Sequence, residues 1–207
     1  MYVPNHYMVS EKEEIVAFMK QYSFATIVTA KESLPTANHL PFTVQYEQES
    51  IRLLSHFSKA NKQWETIVDR DVLVIFSEPH AYISPKHYDN DFSVPTWNYV
   101  AVHAYGKGRL LEDVQEVVML LEEAIRCFEP DYKKQWDSLP QEFKLKNIKG
   151  IVAFEIQVQD LQAKKKLSQN KNREEQMRIV TALSQSDNPR EMEVARYMQQ
   201  SLEPYRM

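Results

Sequence analysis

Glycine and cysteine are scarce in this sequence of 207 residues. The three glycines, Gly106, Gly108 and Gly150, do not fit a GxxxxGK[ST] phosphate loop or a GxGxxG dinucleotide fingerprint. Side chains must therefore hold the phosphate of any phosphorylated cofactor. The single cysteine, Cys127, excludes an internal disulfide, which is typical of a cytoplasmic protein.

Long apolar runs and a basic charge excess are also missing. No uninterrupted run of about 18 apolar residues occurs, so no membrane-spanning helix is predicted. The N-terminal MYVPNHYMVSEKEE has no basic region followed by an apolar run, so we expect no secretory signal and a cytoplasmic location. The net charge of −4 argues against a broad basic surface for nucleic acid, although a local basic patch stays open. The length suits one domain, with or without a small appendage.

Aromatic residues are concentrated between Pro79 and Gly106, which hold three of the six histidines, four of the eleven tyrosines and Trp97. Ordinary loops are rich in Gly, Ser, Asn and Asp. A segment with this many rings is typical of a binding cleft.

Six segments have the composition or alternation of strands. They are residues 24–30, 40–47, 50–57, 71–76, 99–105 and 150–158. Helices are predicted at residues 10–21, after Asp113, and on both sides of Asn188 and Pro189, where Asn188 caps the second helix. This pattern predicts an α+β, mainly β fold: a six-stranded antiparallel barrel with flanking and C-terminal helices. We expect a barrel domain over residues 1–172 and a helical appendage packed on it over residues 173–207.

Residues 53–65, LLSHFSKANKQWE, present a dense group of polar side chains where a predicted strand ends. Ser58, Lys59 and Gln63 carry hydrogen-bond donors that can hold a phosphate without glycine. A solvated corner between strand and helix is the alternative interpretation of the same residues.

Five ordered motifs resemble the PaiB family, bacterial relatives of the flavin-binding split barrels typified by pyridoxamine phosphate oxidase. They are PTANHLPF (35–42), SHFSKANKQW (55–64), VIFSEPHAYISPKHY (74–88), VPTWNYVAVHAYGKG (94–108) and KLSQNK (166–171). The resemblance implies a six-stranded split barrel, a homodimer with two FMN sites at the subunit interface, and negative transcriptional regulation of protease production and sporulation.

The same resemblance implies positions for the cofactor. Ser58, Lys59 and Gln63 correspond to the FMN phosphate site of the related oxidases, which generally have arginine where Lys59 stands. The segment Asn38, His39 and Leu40 corresponds to the strand beneath the isoalloxazine ring. Lysine keeps the positive charge but loses bidentate recognition of the phosphate.

The aromatic segment supplies further candidates for a small planar ligand. Trp97 and Tyr99 can stack on a flat ring, Asn98 can hydrogen-bond its edge, and His103 lies on the same strand face as Tyr99. A plug over the barrel mouth or a dimer interface is the alternative. No metal site is predicted, because HExxH, paired histidines at helical spacing and cysteine clusters are absent.

One basic cluster is left, near KLSQNK. It comprises Lys164, Lys165, Lys166, Lys171 and Arg173. We interpret it as a solvated linker, with a contact to nucleic acid or phosphate as the alternative. Three rival functions stay open at this point: a flavin-dependent oxidoreductase, a repressor that binds DNA directly, and a haem-handling protein.

Overall fold

The computed structural model describes residues 1–68 and 70–202, which contain eight strands and six α-helices. The strands are β1 (Met8–Val9), β2 (Phe24–Lys31), β3 (Leu34–Pro41), β4 (Thr43–Glu47), β5 (Ser50–Ser58), β6 (Asp71–Ile83), β7 (Thr96–Leu110) and β8 (Ile151–Lys166). The helices are α1 (Lys12–Gln21), α2 (Val114–Phe128), α3 (Tyr132–Ser138), α4 (Gln141–Ile148), α5 (Arg173–Ser184) and α6 (Pro189–Leu202). Within the described ranges, no helix is both long and apolar enough to cross a membrane.

The strands form one sheet in the order β3-β2-β6-β7-β8-β5-β4, and β1 pairs with β8. The predicted count of six strands is wrong. The two-residue β1 is too short to show a pattern, and β3, which lies between the predicted strands 24–30 and 40–47 and overlaps the second, has six of its eight side chains exposed. A strand exposed on both faces has no alternation of apolar and polar residues, so its sequence does not identify it.

Contacts group the described chain into two compact units. The first unit comprises Lys12–Phe76 and His103–Leu161, and the second comprises residues 1–11, 77–102 and 162–202. The predicted division into a barrel domain over residues 1–172 and a helical appendage over residues 173–207 stays a prediction.

The core of the first unit is aromatic and aliphatic. The ring of Phe42 lies edge-on to Phe76 and Phe154, at centroid distances of 6.1 and 6.2 Å, and Phe154 stacks on Phe57 at 5.0 Å. Helix α2 begins where Asp113 accepts hydrogen bonds from the backbone N–H groups of residues 115 and 116, as its sequence predicts. Its buried face packs on β5 and β8 through Val117, Leu120, Leu54 and Ala153.

The second unit is organised by α5 and α6, which pack on each other. Asn172 and Glu175 form a capping box at the start of α5. Asn188 Oδ1 accepts from the backbone N–H of Arg190, so the predicted cap before Pro189 is confirmed. The buried faces of the two helices include Ile179, Val180, Leu183, Val194 and Met198.

At two of the three glycines, the backbone of another segment lies too close to leave room for a side chain. A Cβ added at Gly106 would lie 2.1 Å from the carbonyl oxygen of Gln157, and one at Gly108 would lie 2.7 Å from that of Ile67. Backbone atoms cannot move aside as a flexible side chain can, so β7 tolerates no side chain at these two positions.

We therefore predict that Gly106→Ala lowers the free energy of unfolding by about 1–3 kcal/mol, the usual cost of overpacking. Gly150→Ala is the matched control, because its nearest non-local atom, the Asn147 carbonyl oxygen, is 3.3 Å away. Urea denaturation measures the free energy of unfolding of both variants. Equal stability of the two variants would contradict the packing role of Gly106.

Candidate functional site

In the first unit, the polar corner predicted from residues 53–65 lies at the end of β5. The backbone there is fixed on both sides: the Lys59 N–H donates to the carbonyl of Gly150 at 2.9 Å, and the Asn61 N–H donates to that of Ser58 at 2.9 Å. Asn61 then caps the short 3-10 turn Lys62–Thr66 by accepting from the Gln63 N–H. The sequence therefore folds into a rigid corner.

Ser58 and Lys59 project from this corner into solvent. Neither the Ser58 hydroxyl nor the Lys59 ammonium has a hydrogen-bond or ion-pair partner within residues 1–68 and 70–202. Lys62 follows three residues later and is also exposed, with Glu65 Oε1 at 3.4 Å. The unpaired donors of Ser58 and Lys59, with the positive charge of Lys62 close by in the sequence, match the chemistry of a phosphate.

Gln63 has a different environment from its neighbours, because only 5% of its surface is exposed. Its Nε2 donates to the Thr36 carbonyl at 3.0 Å and to Thr29 Oγ1 at 3.2 Å, with the Ile27 carbonyl at 3.4 Å. Its Oε1 accepts from Asn38 Nδ2 at 2.6 Å. The structure thus brings two predicted site residues, Asn38 and Gln63, into direct contact, and this contact ties the 3-10 turn to β2 and β3.

The other two predicted ring contacts on β3, His39 and Leu40, are at least partly accessible to solvent. His39 is exposed, its Nδ1 shares a 2.9 Å hydrogen bond with Thr26 Oγ1, and its ring lies 6.4 Å from that of Phe24. Leu40 is half-buried. Strand β3 therefore presents the His39 side chain to solvent, while Asn38 on the same strand is held by Gln63.

His103 also lies in the first unit, on β7, with its ring 6.4 Å from Tyr105. Its Nδ1 is buried and has no hydrogen-bond partner among the residues described. Burial lowers the pKa of this imidazole, so the ring is neutral near pH 7. A neutral, buried ring nitrogen without a partner marks a position where a bound ligand can complete the hydrogen bonding.

The remaining predicted residues, Trp97, Asn98 and Tyr99, lie in the second unit at the start of β7. Trp97 is half-exposed beside His80 and Tyr82, with ring centroids 5.9 and 5.8 Å away. Asn98 is fully buried on the opposite face, where its Nδ2 donates to Ser168 Oγ at 3.0 Å and its Oδ1 accepts from the same hydroxyl at 3.1 Å. Asn98 thereby joins β7 to the turn after β8.

The interpretation of the basic cluster as a solvated linker is wrong. Strand β8 continues to Lys166, and Lys164, Leu167 and Ser168 are buried. The lysine ammonium groups lie over tyrosine rings: Lys164 over Tyr2, Tyr7 and Tyr99, Lys165 over Tyr197, and Lys171 over Tyr88. Cation–π contacts between distant segments leave no pattern in a sequence, which is why these lysines were misassigned.

The chain is similar to known proteins in three respects: a family model, a curated sequence and solved structures. A sequence model of the family described as "Putative FMN-binding domain" matches residues 1–160. The chain is 39% identical over 206 residues to "Protease synthase and sporulation protein PAI 2" of Bacillus subtilis (strain 168), which covers 98% of both sequences.

Among solved structures, the flavocytochrome Anf3 from Azotobacter vinelandii has a TM-score of 0.63 at 14% identity, covering 79% of this chain and 72% of that one. The FAD and haem binding protein from Mycobacterium smegmatis also has a TM-score of 0.63, at 12% identity, covering 82% and 78%. At these identities the likeness shows the fold alone. It confirms the predicted split-barrel class.

The hydrogen bonds between the buried side chains of Asn98 and Ser168 should contribute to the stability of the second unit. Asn98→Leu should cost about 1–3 kcal/mol, because it leaves the buried Ser168 hydroxyl without its partner. Adding Ser168→Ala should restore part of that loss. Urea denaturation of both single variants and the double variant gives the coupling energy. Simple additivity of the two changes would contradict the pairing.

Proposed function

The chain belongs to the PaiB family of FMN-binding domains, and from this we propose that it binds FMN through the corner at the end of β5 and acts as a flavin-binding regulator of gene expression. FMN is the cofactor of this family. The observation that carries the proposed site is that the Ser58 hydroxyl and the Lys59 ammonium have no partner among the described residues, on a backbone held by the Gly150 carbonyl.

The residues of the first unit fit FMN in two respects. A phosphate accepts hydrogen bonds and carries negative charge, and Ser58, Lys59 and Lys62 offer donors and positive charge with one nearby carboxylate, Glu65. The orphaned Nδ1 of His103 offers one further polar contact. The family position of Gln63 as a phosphate ligand stays a prediction. In the structure its amide holds the corner in place.

The flavin, when bound, supplies hydride and electron transfer, while the protein binds and orients it. Lys59 places one positive charge beside the phosphate, and Ser58 adds a hydroxyl donor. Strand β3 presents Asn38, His39 and Leu40 beside the ring. Trp97, Asn98 and Tyr99 remain predicted ring contacts.

The regulatory part of the proposal rests on the PaiB resemblance and on the name of the Bacillus subtilis relative, which refers to protease synthesis and sporulation. We propose negative regulation of transcription in the cytoplasm, with flavin occupancy as the signal. The net charge of −4 favours action through a partner protein over direct coating of DNA.

A flavin-dependent oxidoreductase of the pyridoxamine phosphate oxidase type is the second candidate. The orphaned Nδ1 of His103 favours it, because a neutral buried imidazole can exchange a proton with a substrate. Haem handling is the third, since two proteins of similar fold are a flavocytochrome and an FAD and haem binding protein. The visible spectrum of the purified protein separates a flavin band from a haem Soret band.

The proposed contact between Lys59 and the flavin phosphate predicts how a substitution changes FMN affinity. Lys59→Met should weaken FMN binding by about tenfold to a hundredfold, because a charge-assisted hydrogen bond contributes about 1.5–3 kcal/mol. Riboflavin lacks the phosphate, so its affinity should be equal in wild type and variant. Quenching of flavin fluorescence measures both affinities.

Lys134→Met, at an exposed position of α3 in the same unit, is the control and should bind FMN like wild type. Equal loss of FMN and riboflavin affinity in Lys59→Met, or no loss of either, would contradict the assignment of Lys59 to the phosphate.

We also propose that the protein is a homodimer that uses the β2-β3 hairpin. Strand β3 ends the sheet path, and Phe24 and Leu34 on this hairpin are 70% and 71% exposed. An exposed edge strand with large apolar side chains favours pairing with a second copy.

Phe24→Asp should therefore shift the native mass spectrum from dimer to monomer, because it would bury a carboxylate in the interface. Phe143→Asp, on α4 and 51% exposed, is the matched control and should stay dimeric. A monomeric wild type, or a Phe24→Asp variant that remains fully dimeric, would overturn the placement of the interface.

A further inference from the structure

The second unit contains a pocket of about 400 Å³ between the start of β7 and the turn that follows β8. We call it the lysine pocket. Its lining includes Tyr7, Tyr88, Phe92, Lys166, Asn170 and Lys171. The volume lies within the range of about 300–1,000 Å³ that is typical of small-molecule sites. Asn98, a predicted contact of the flavin ring, also lines this pocket, whereas Ser58, Lys59 and Gln63 of the predicted phosphate site do not.

Lys166 is half-buried in this pocket, and no carboxylate of the described residues pairs with it. Its ammonium donates to Thr96 Oγ1 and, at 2.8 Å, to the carbonyl of Trp97. An ammonium has three hydrogens, so one is left without a partner among the described residues. Burial and the neighbouring Lys164 lower the pKa of Lys166, as expected where positive charge is concentrated.

Lys171 is the second cation of the pocket. Its ammonium lies 3.6 Å from the centre of the Tyr88 ring, and no described carboxylate is within ion-pair distance. The cation–π contact orients this ammonium but adds no negative charge to balance it.

Two carboxylates lie near the lysine pocket, and both are already engaged. Asp89 pairs with Arg178 and accepts from Asn172 Nδ2 at 2.8 Å, and these contacts hold its pKa below the usual range. Glu175 accepts from the backbone N–H groups of Asp89 and Asn172 at 3.0 and 3.1 Å. Among the described residues, neither carboxylate is within ion-pair distance of Lys166 or Lys171, although the charge of Lys171 also helps to lower the pKa of Asp89. The two ammonium groups therefore have no direct counter-ion within the part of the chain that the structure describes.

The rim of the pocket is apolar and the floor is cationic. Phe92 and Val94, which line it, are 97% and 79% exposed. Tyr88 adds a ring face beside Lys171. A ligand that matches this arrangement has one anionic group and a flat apolar body.

We propose that the lysine pocket is a second ligand site, separate from the flavin phosphate grip at Ser58 and Lys59, for a small planar organic anion. The carboxylate or phosphate group of the ligand lies between Lys166 and Lys171, and its ring lies against Tyr88 and Phe92. A site of this kind gives a regulator an effector input that does not depend on its flavin.

Isothermal titration calorimetry with benzoate, phenyl phosphate and inorganic phosphate tests the proposal on the full-length protein. At least one of the two aromatic anions should bind wild type at least tenfold more tightly than inorganic phosphate, and their ratio shows which anionic group the pocket prefers. Absence of binding by both aromatic anions, or equal affinity for inorganic phosphate, would overturn the proposal.

Asn170 allows a matched pair of variants that leaves the lysines in place. Asn170→Asp supplies an internal counter-ion and should weaken aromatic anion binding at least tenfold, whereas Asn170→Ser should bind within twofold of wild type. Lys171→Met should also lose at least tenfold, with Lys86→Met, outside the pocket, as its control. Wild-type affinity in Asn170→Asp would contradict the site.

FMN titration of the same variants separates this site from the flavin site. Asn170→Asp should bind FMN like wild type. If Asn170→Asp lost FMN while Lys59→Met kept it, the lysine pocket would be the flavin phosphate site, and a separate effector site would be excluded. If wild type bound aromatic anions but no flavin, only the proposed flavin function would fail.

Discussion

The arrangement of the first unit depends on one buried amide. Gln63 bonds with both its nitrogen and its oxygen to the β2-β3 hairpin, and it follows directly after the residues that turn the chain at the end of β5. Because an unsatisfied buried amide is costly, this one side chain fixes the corner against the hairpin. Within the described residues, the Ser58 hydroxyl and the Lys59 ammonium have no partner, and a phosphate can take up their donors.

The second unit holds several partly or fully buried lysines beside tyrosine rings. Lys164 and Lys171 lie over such rings, and Lys166 donates to neutral oxygens. The aromatic density between Pro79 and Gly106 is therefore partly structural, since Tyr88 and Tyr99 accept cations. The charge that these contacts leave unbalanced makes the lysine pocket attractive to anions.

Local rules of the sequence predicted much of this fold. Asp113 and Asn188 cap helices as their positions indicate, and the alternation along β7 separates Asn98, Val100 and Val102 from Trp97 and Tyr99. The residue pattern missed the exposed β3, which only the family resemblance marked as a strand, because its edge position, and not its pattern, makes it one. The lysine cluster was misassigned because its partners are distant in sequence. Asn98 and Gln63 were recognised as notable, yet only the structure shows that both are buried and bonded.

A structure of the protein with FMN bound is the most direct test of this account. We predict that the flavin phosphate lies within about 3 Å of Ser58 Oγ and Lys59 Nζ, at hydrogen-bond distance. The Gln63 amide should keep its bonds to Thr29 and Thr36. A phosphate bound instead between Lys166 and Lys171, with Ser58 and Lys59 still in solvent, would contradict it.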